Sequence, residues 1–364
     1  MLIVDSQIHI WQNAKMSAHH RQIPTYSVDD ALAEMASAGV DCAVIHPPSS
    51  LGEPVNALAV EAARLHPDKF CILGHFDLQS PDRETIVARW RERPGMLGFR
   101  FTFNQPQQKA WWTDGSLDWF WAASEKAALP VGLLAGGNMA ALAKIAERHP
   151  RLKLHIDHLG RHGGGTGLTD DAAFADLKDT LALVRFPNVA IKMSGAPSYS
   201  SQPHPYRNIH GYLRQIFEAF GPERSFWGTD ITRMPCSYRQ CVTMFTEELP
   251  WLKGRDLERV MGGAIVDWLG WKRPAAACSR EGSPVLLGAA RGRARRRRGG
   301  PRRTAAARWD GRSALRADHR VALREGVDRQ HLDAGEVGLQ QGFQPRQHAA
   351  GPIVAGVSDQ GGRR

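Results

Sequence analysis

The chain has 364 residues, of which 42% are hydrophobic, and it carries a formal net charge of +10. A chain of this length can bury a large core, and one α/β barrel of roughly 250 residues would fit inside it. The charge would suit a nucleic-acid or membrane binder, but it is not spread evenly along the chain. Residues 272–364 hold 20 basic and 8 acidic residues, whereas residues 1–271 hold 27 basic and 29 acidic residues. The near-neutral charge of residues 1–271 therefore excludes the main body as a protein that binds nucleic acid or membranes through a large positive charge.

The cysteines and the start of the chain indicate the compartment. Five cysteines form no Cys-x-x-Cys pair, and an odd count suits a reducing compartment better than a disulfide framework. Residues 1–5 carry no basic segment followed by an apolar signal core, and no apolar run approaches ~18 residues. We therefore expect a cytoplasmic protein with no membrane partner, and the sequence leaves a homodimer open.

Short β-rich runs alternate with helical stretches along the main body, a pattern typical of βα units around a parallel sheet. The predicted strands are Leu2–Ile10, Val40–Pro47, Phe70–Leu78, Met96–Phe103, Pro130–Ala135, Lys153–Leu159, Asn188–Gly195 and Ser225–Ile231. The predicted helices are Val28–Ala38, Glu53–His66, Pro81–Arg93, Leu117–Ala128, Met139–His149, Asp170–Val184, Ile209–Phe220, Tyr238–Leu249 and Asp256–Trp271. Eight strands, each followed by a helix, favour a closed (β/α)8 TIM barrel. No glycine-rich phosphate loop follows the first strand, which argues against a dinucleotide-binding sheet.

The composition changes abruptly after the last predicted helix. Residues 273–364 contain 19 arginines and no lysine, and residues 291–303 show no apolar periodicity. We therefore predict a barrel over residues 1–272 and a disordered, Arg-rich C-terminal tail over residues 273–364. The tail could be a nucleic-acid arm, a solvated extension, or GC-rich DNA translated out of its usual frame. We favour the last interpretation and expect no nucleic-acid partner.

Polar side chains stand near the carboxyl ends of the predicted strands, where (β/α)8 enzymes act. Alternation places Asp5, Gln7 and His9 on one face of strand 1, and strand 8 ends in Asp230. Other polar groups near strand ends are His46, His75, Asp77, Arg100, His158, Lys192 and Ser194. On strand 6, alternation puts His158 on the face of Ile156, opposite His155 and Asp157. Burying so many polar groups is costly unless they bind a ligand or one another.

Four motifs, in this order and spacing, resemble the amidohydrolase-related (amidohydrolase 2) family, which includes lactonases and decarboxylases. They are Val4–Trp11, Ile156–Gly160, Ile191–Gly195 and Trp227–Asp230. The resemblance covers residues 1 to about 271. It implies a hydrolytic TIM barrel in which strand 1 presents His-x-His, strand 6 offers His158, and strand 8 supplies Asp230 as base or metal ligand.

One departure from the family pattern concerns the metal. Gln7 occupies the position of the first histidine of His-x-His, and a glutamine amide is a poor ligand for zinc. We therefore expect either no metal or a weakly held divalent ion, zinc or manganese. If a metal is bound, the resemblance assigns it to His9, His158 and Asp230. Some lactonases of the family work without a metal, so hydrolysis need not be lost.

The predicted chemistry is hydrolysis of a lactone or related small carboxylated compound. Asp230 would act as the general base that activates water, with His9, His158 and Lys192 as catalytic groups that stabilise the oxyanion. Arg100 and Arg161 would clamp a substrate carboxylate, because a guanidinium matches carboxylate geometry. Gln7, Ser194 and His75 complete the predicted substrate-binding residues.

Two further functions stay open at this point. One is a metal-dependent decarboxylase built on the same barrel. The other is a non-catalytic ligand-binding barrel that lost its chemistry with the first histidine. A mere binder has no need of a carboxylate base on strand 8, so Asp230 favours an enzyme.

Overall fold

A computed structural model describes residues 1–52, 54–162 and 167–273 of the chain. The chain divides into two units, Met1–Pro284 and Val285–Arg364, and the described residues belong to the first. The prediction of a disordered tail over residues 273–364 therefore falls outside the described residues, apart from residue 273 itself. None of the helices in the described ranges is long and apolar enough to span a membrane.

Eight parallel strands form one sheet in sequential order, with each strand paired to the next along the chain. The strands are β1 Val4–Ile8, β2 Cys42–Ile45, β3 Phe70–Gly74, β4 Met96–Phe101, β5 Val131–Leu133, β6 Leu154–Ile156, β7 Val189–Lys192 and β8 Ser225–Phe226. The sheet curls until β8 meets β1, where Ser6 N donates to Trp227 O at 3.1 Å and Asp230 N donates to Gln7 O at 2.8 Å. The predicted TIM barrel is confirmed.

Helices cover the outside of the barrel and follow the strands in turn. They are α1 Val28–Ala38, α2 Val55–Leu65, α3 Arg83–Ala88, α4 Asp118–Lys126, α5 Met139–Arg148, α6 Asp170–Ala173, α7 Leu177–Leu181, α8 His210–Phe220, α9 Tyr238–Thr246, α10 Gly254–Glu258 and α11 Ala264–Leu269. One predicted helix, Asp170–Val184, is instead two short helices, and a π-helical turn, Arg259–Gly263, joins α10 to α11.

The barrel wall separates two apolar cores. Outward-facing strand residues such as Phe99 and Ile156 pack under the helices in the larger core. A smaller core, which includes Val4, Val44 and Phe226, also takes in Trp271 and residues of α11. Burial of these side chains at roughly 25 cal/mol per Å² is the main stabilising contribution to a fold of this kind. The polar groups of the barrel interior therefore lie on a rigid scaffold.

Candidate active site

A cavity of about 550 Å³ opens at the carboxyl ends of the strands, a size suited to a small ligand. Five residues predicted for the site line it: His9, His75, Arg100, His158 and Asp230. Two residues that the sequence prediction missed, His20 and Arg233, line it as well. The other predicted residues are buried behind this wall: Gln7, Arg161, Lys192 and Ser194.

The first strand departs from strict alternation. The register of β1 against β2 shifts between Asp5 and Ile8, so side chains on either side of the irregularity do not keep one face. Asp5 turns towards α9, where the Tyr238 hydroxyl donates to its Oδ2 at 2.7 Å. Gln7 faces the barrel interior instead, and Lys192 Nζ donates to its Oε1 at 3.3 Å. The expectation that Asp5 shares a face with Gln7 is therefore wrong.

His9 presents one ring nitrogen to the cavity and holds the other in place. Its Nδ1 lies 2.5 Å from the backbone oxygen of His46. Because a carbonyl oxygen only accepts, the proton is on Nδ1, and Nε2 keeps its lone pair. Burial lowers the pKa of His9 although Asp230 opposes that shift, so the ring is neutral. Nε2 faces Asp230 Oδ1 at 3.3 Å.

The sixth strand ends earlier than predicted, which changes the faces of its residues. Ile156 packs in the outer core, whereas Asp157 points into the barrel, so the predicted pairing of Ile156 with His158 on an inward face is wrong. His158 still reaches the cavity because β6 stops at Ile156 and the backbone turns. His158 and Leu159 have φ of 52° and 60°, a left-handed conformation that costs about 1–3 kcal/mol for such residues and is typical of functional sites.

A chain of hydrogen bonds fixes the orientation of the His158 ring. An ammonium group only donates, so Gln7 Oε1 faces Lys192, and the amide Nε2 of Gln7 is left to donate to His158 Nε2 at 3.2 Å. The other ring nitrogen, Nδ1, lies 3.0 Å from Ser194 Oγ. Both nitrogens of His158 are therefore occupied by protein partners. Gln7, at the position of the missing histidine, acts as the partner of His158.

Asp157 joins two buried cations beneath the cavity. Lys192 Nζ lies 3.0 Å from Asp157 Oδ1, and Arg100 Nε donates to Oδ2 at 2.8 Å. Burial alone would raise the pKa of Asp157, but Lys192 and Arg100 outweigh it and hold the pKa well below its usual range. Among the described residues, the two terminal guanidinium nitrogens of Arg100 have no hydrogen-bond partner. Arg100 is thus anchored at Nε and keeps its planar fork for a ligand.

Asp230 stands at the end of strand 8 in a left-handed conformation, with φ of 59°. Arg233 Nε forms an ion pair with its Oδ2 at 2.8 Å, whereas its buried Oδ1 has no hydrogen-bond partner within the described part of the chain. Burial alone would raise the pKa of Asp230, but the positive charge of Arg233 opposes burial and the pKa lies below its usual range. The carboxylate is therefore ionised, with one oxygen held and the other free.

Arg233 reaches Asp230 because Gly195 leaves room for it. A Cβ at Gly195 would collide with the Arg233 guanidinium, and the φ of 75° at this position also favours glycine. Arg233 lies three residues after Asp230 in a short 3₁₀ turn, Ile231–Arg233. An arginine three residues after a strand-8 carboxylate was the available sequence indication, since loops at this end of a barrel carry function.

Arg161 does not reach the cavity. Its guanidinium donates to Leu159 O and Ala173 O, each at 3.1 Å, and to Thr180 Oγ1 at 2.7 Å, and it forms an ion pair with Asp176. These contacts tie the segment after β6 to helices α6 and α7. The structure therefore gives Arg161 a structural position rather than that of a carboxylate clamp.

The last two predicted residues, Ser194 and His75, differ in their access to a ligand. Ser194 is fully buried, and its hydroxyl contacts the backbone N and Nδ1 of His158. His75 lines the cavity, and its buried Nε2 finds no hydrogen-bond partner among the residues that the structure describes. Burial lowers the pKa of His75 to about 4, so the ring is neutral at neutral pH. His75 can therefore hydrogen-bond a ligand, whereas Ser194 orients His158.

Three side chains at the cavity can hold a divalent metal ion: His9, His20 and Asp230 offer donor atoms that lie within 4.8 Å of one another. Imidazole and carboxylate are ligands that zinc prefers. The sequence prediction missed His20, which lies in the loop between β1 and α1 rather than on a strand. The structure groups His20, rather than His158, with His9 and Asp230 as a set of close donor atoms.

The profile of the amidohydrolase 2 family matches residues 4–273. The chain belongs to the amidohydrolase family. L-fucono-1,5-lactonase of Burkholderia ambifaria is 26% identical over 238 residues, 62% of this chain and 79% of that protein. 4-Sulfomuconolactone hydrolase of Hydrogenophaga intermedia is 25% identical over 221 residues, 57% of this chain and 65% of that protein. A crystal structure of a zinc-bound amidohydrolase from Burkholderia multivorans superposes with a TM-score of 0.64 at 21% identity, over 74% of this chain and 99% of that chain.

Membership of the amidohydrolase family confirms the resemblance that the four motifs predicted. It also confirms the expectation of an enzyme, a hydrolase-type (β/α)8 barrel, over that of a non-catalytic binder. In this amidohydrolase, His9 and Asp230 lie in one group of close donor atoms with His20, which comes from a loop.

Proposed function

We propose that this amidohydrolase opens the ring of a small carboxylated lactone with water. One observation carries the proposal: His9 Nε2 and Asp230 Oδ1 face each other at 3.3 Å on the wall of the cavity, and both offer lone pairs. Two acceptors so close need a donor between them. A water molecule that donates one hydrogen to each would be held with its oxygen lone pairs towards the ligand. Two lactone-hydrolysing relatives support this choice of reaction.

Asp230 is the general base of the proposed reaction. It accepts a proton from the water as the water oxygen bonds to the lactone carbonyl carbon. Collapse of the tetrahedral intermediate breaks the ring C–O bond, and the departing alkoxide takes the proton back from Asp230. The product is a hydroxy acid, and water is the only other reactant. The lowered pKa of Asp230 keeps it ionised before the reaction and makes it return the proton readily.

Two cavity-lining cations match the charges of this reaction. Arg233 lies against Asp230 and lines the cavity, so we assign it the stabilisation of negative charge on the oxyanion. Arg100 presents its free guanidinium fork for a carboxylate of the substrate, because Asp157 already holds its Nε. Asp157 is shared with Lys192, so its single charge does not saturate both cations.

Three of the predicted residues act through others in this proposal and are positioning residues. Lys192 holds Asp157 and the Gln7 amide, Gln7 holds the His158 ring, and Ser194 holds the same ring from its other side. His158 has no free donor for an oxyanion, because Gln7 and Ser194 occupy its nitrogens. It forms the wall beside Asp230, with Nε2 3.6 Å from Oδ2.

The proposals on cellular location and binding partners come from the sequence. We place the enzyme in the cytoplasm, with a small-molecule substrate and with neither a membrane nor a nucleic-acid partner. A homodimer stays open. The boundary at residue 272 and the interpretation of residues 273–364 as an out-of-frame translation stay proposals as well.

A panel of lactones tests the proposed function. Purified enzyme would be incubated with matched five- and six-membered lactones, each with and without a carboxylate, and acid release would be followed in a weak buffer. We expect turnover of at least one carboxylated lactone, with one equivalent of acid released for each molecule of hydroxy acid formed. Release of carbon dioxide from aromatic acids, without opening of any lactone, would instead support the decarboxylase.

A further inference from the structure

We propose that His20 replaces the ligand lost at Gln7 and forms, with His9 and Asp230, a three-ligand zinc site that opens to the cavity. The geometry carries the proposal, because in each of the three side chains the protein holds the far polar atom and leaves the near one free. The inference rests on the proposed hydrolytic function only for what the metal would do, since binding itself can be measured without substrate.

His9 is arranged as a metal ligand. Its Nδ1 proton is donated to His46 O, so Nε2 offers a lone pair in a fixed direction. Ligating histidines commonly donate their second nitrogen to a backbone carbonyl in this way, which fixes tautomer and ring orientation. His9 is 4% exposed, so its Nε2 has little access to bulk water as an alternative partner.

His20 is held in the same manner although it lies in a loop. Its Nδ1 lies 2.8 Å from Thr232 Oγ1, and among the described residues its Nε2 has no hydrogen-bond partner. The His20 and His9 rings are 5.2 Å apart, edge to face. Arg21 N donates to Thr232 O at 2.7 Å, which ties this loop to the segment after β8 that carries Asp230. The loop therefore brings His20 to the strand-8 carboxylate.

Asp230 completes the group with its free oxygen. Arg233 holds Oδ2 at 2.8 Å, whereas the buried Oδ1 faces His9 Nε2 and has no hydrogen-bond partner in residues 1–52, 54–162 and 167–273. A buried carboxylate oxygen without a donor is costly, and a cation at this point would remove the cost. The arrangement thus fits a metal ion on the basis of its donors and of this unpartnered atom.

His158 does not belong to this ligand set, although the family resemblance assigned it there. Gln7 Nε2 donates to His158 Nε2 at 3.2 Å, and Ser194 Oγ takes Nδ1. A metal would have to displace the Gln7 amide, which Lys192 holds in place. Glutamine in place of histidine at position 7 therefore removes two metal ligands, residue 7 itself and His158. His20 is then the third ligand of the site.

Two imidazoles and one carboxylate favour zinc over manganese, which prefers oxygen ligands. Three protein ligands leave a fourth position open to the cavity, as in catalytic zinc sites. A metal there would supply a Lewis acid for the lactone carbonyl. Zinc–nitrogen bonds of about 2.0–2.1 Å require the three donors to approach one another slightly on binding, which the His20 side chain must provide.

Metal titration of the full chain tests the site without substrate. Chelator-stripped protein would be titrated with Zn²⁺ by calorimetry and with Co²⁺ by visible absorption, in the wild type and in four variants. We expect about one ion per chain and tetrahedral cobalt bands for the wild type. His20→Ala should lose more than the roughly 10- to 100-fold in affinity that removal of an outer partner costs. Thr232→Val, which removes only the partner of His20, should lose about 10-fold.

His19→Ala is the matched control, because His19 lines the same cavity beside His20 but is not in the ligand group. It should bind zinc within about 3-fold of the wild type. Equal affinity of His20→Ala and wild type, or no binding by the wild type, would overturn the proposal. A larger loss in His158→Gln than in His20→Ala would also overturn it, in favour of the set that includes His158. Lactone turnover without any metal would leave the proposed function standing while the zinc site failed.

Discussion

The Nε2 of His9 and the Oδ1 of Asp230 face each other at 3.3 Å. The protonated Nδ1 of His9 donates to the backbone oxygen of His46. Arg233 forms an ion pair with the other oxygen of Asp230, Oδ2. Both atoms are thus fixed as acceptors at one point of the cavity wall. Such a point attracts a donor or a cation, and both the proposed water activation and the proposed zinc site rest on this geometry.

Replacement of Arg100 should weaken carboxylated substrates selectively. In Arg100→Ala we expect KM for a carboxylated lactone to rise by about 10- to 100-fold, because a hydrogen bond to a charged group contributes about 1.5–3 kcal/mol. KM for the matched neutral lactone should change less than 3-fold. Steady-state kinetics with the lactone pair measures both. Equal effects on the two lactones would remove Arg100 from carboxylate binding.

Replacement of Arg161 should affect stability rather than catalysis. Arg161→Met leaves two backbone carbonyls and the Thr180 hydroxyl without their donor. We expect a loss of about 1–3 kcal/mol in unfolding free energy and a melting temperature lower by several degrees. Turnover per folded molecule should stay within about 2-fold. An unchanged melting temperature with a 10-fold loss of activity would return Arg161 to the substrate site.

Asp5 should make stability depend on pH. Burial raises its pKa to about 6, although hydrogen bonds from Thr229 and Tyr238 oppose the shift. The other titratable groups that act on or respond to Asp5 are Tyr26, Lys192 and Cys241. A carboxyl with a raised folded-state pKa contributes stability that is fully present below its unfolded pKa of about 3.9 and is lost as the pH rises through 6.

The comparison of wild type with Asp5→Asn isolates this effect from other carboxylates. The variant's unfolding free energy relative to the wild type should rise by up to about 3 kcal/mol between pH 4 and pH 7, because one pKa unit equals 1.36 kcal/mol. Denaturant unfolding across this pH range provides the measurement. Parallel pH profiles for the two proteins would show that Asp5 does not titrate in this window.

Removal of residues 285–364 should leave the barrel intact. The core of the described residues already includes Trp271 and the last helix, α11. Thermal melting of the chain truncated after residue 284 should match the full chain within about 2 °C, since one kcal/mol corresponds to roughly 2–4 °C at this size. A loss of several degrees would mean that the tail stabilises the barrel.

The fold followed from the sequence because all eight predicted strands overlap observed ones, and β-rich runs alternate regularly with helices. Site prediction depended on strand parity, which holds where a strand is regular, as at Lys192 and Ser194. It failed at Asp5, where β1 has a register shift, and at His158, where β6 ends and a left-handed turn follows. Neither irregularity has a clear sequence signature.

The residues that prediction missed lie mostly in loops. His20 reaches the site only because the β1–α1 loop folds back onto the segment after β8. Arg161 looked like a ligand for a carboxylate, but its partner, Asp176, comes 15 residues later in the chain. Such contacts join residues that are distant in the sequence, and the periodicity of apolar residues along a strand or helix does not predict them.

The Asp230→Asn variant provides the most direct measurement of the proposed reaction. Asparagine keeps the shape of aspartate but cannot accept a proton from water, so turnover of the best carboxylated lactone should fall by about 10²- to 10⁴-fold. Binding of that lactone, measured by calorimetry in the variant, should stay within a few-fold of KM for the wild type, because the base acts in the transition state. More than about a tenth of the wild-type rate in a folded Asp230→Asn protein would contradict the assignment of Asp230 as the base.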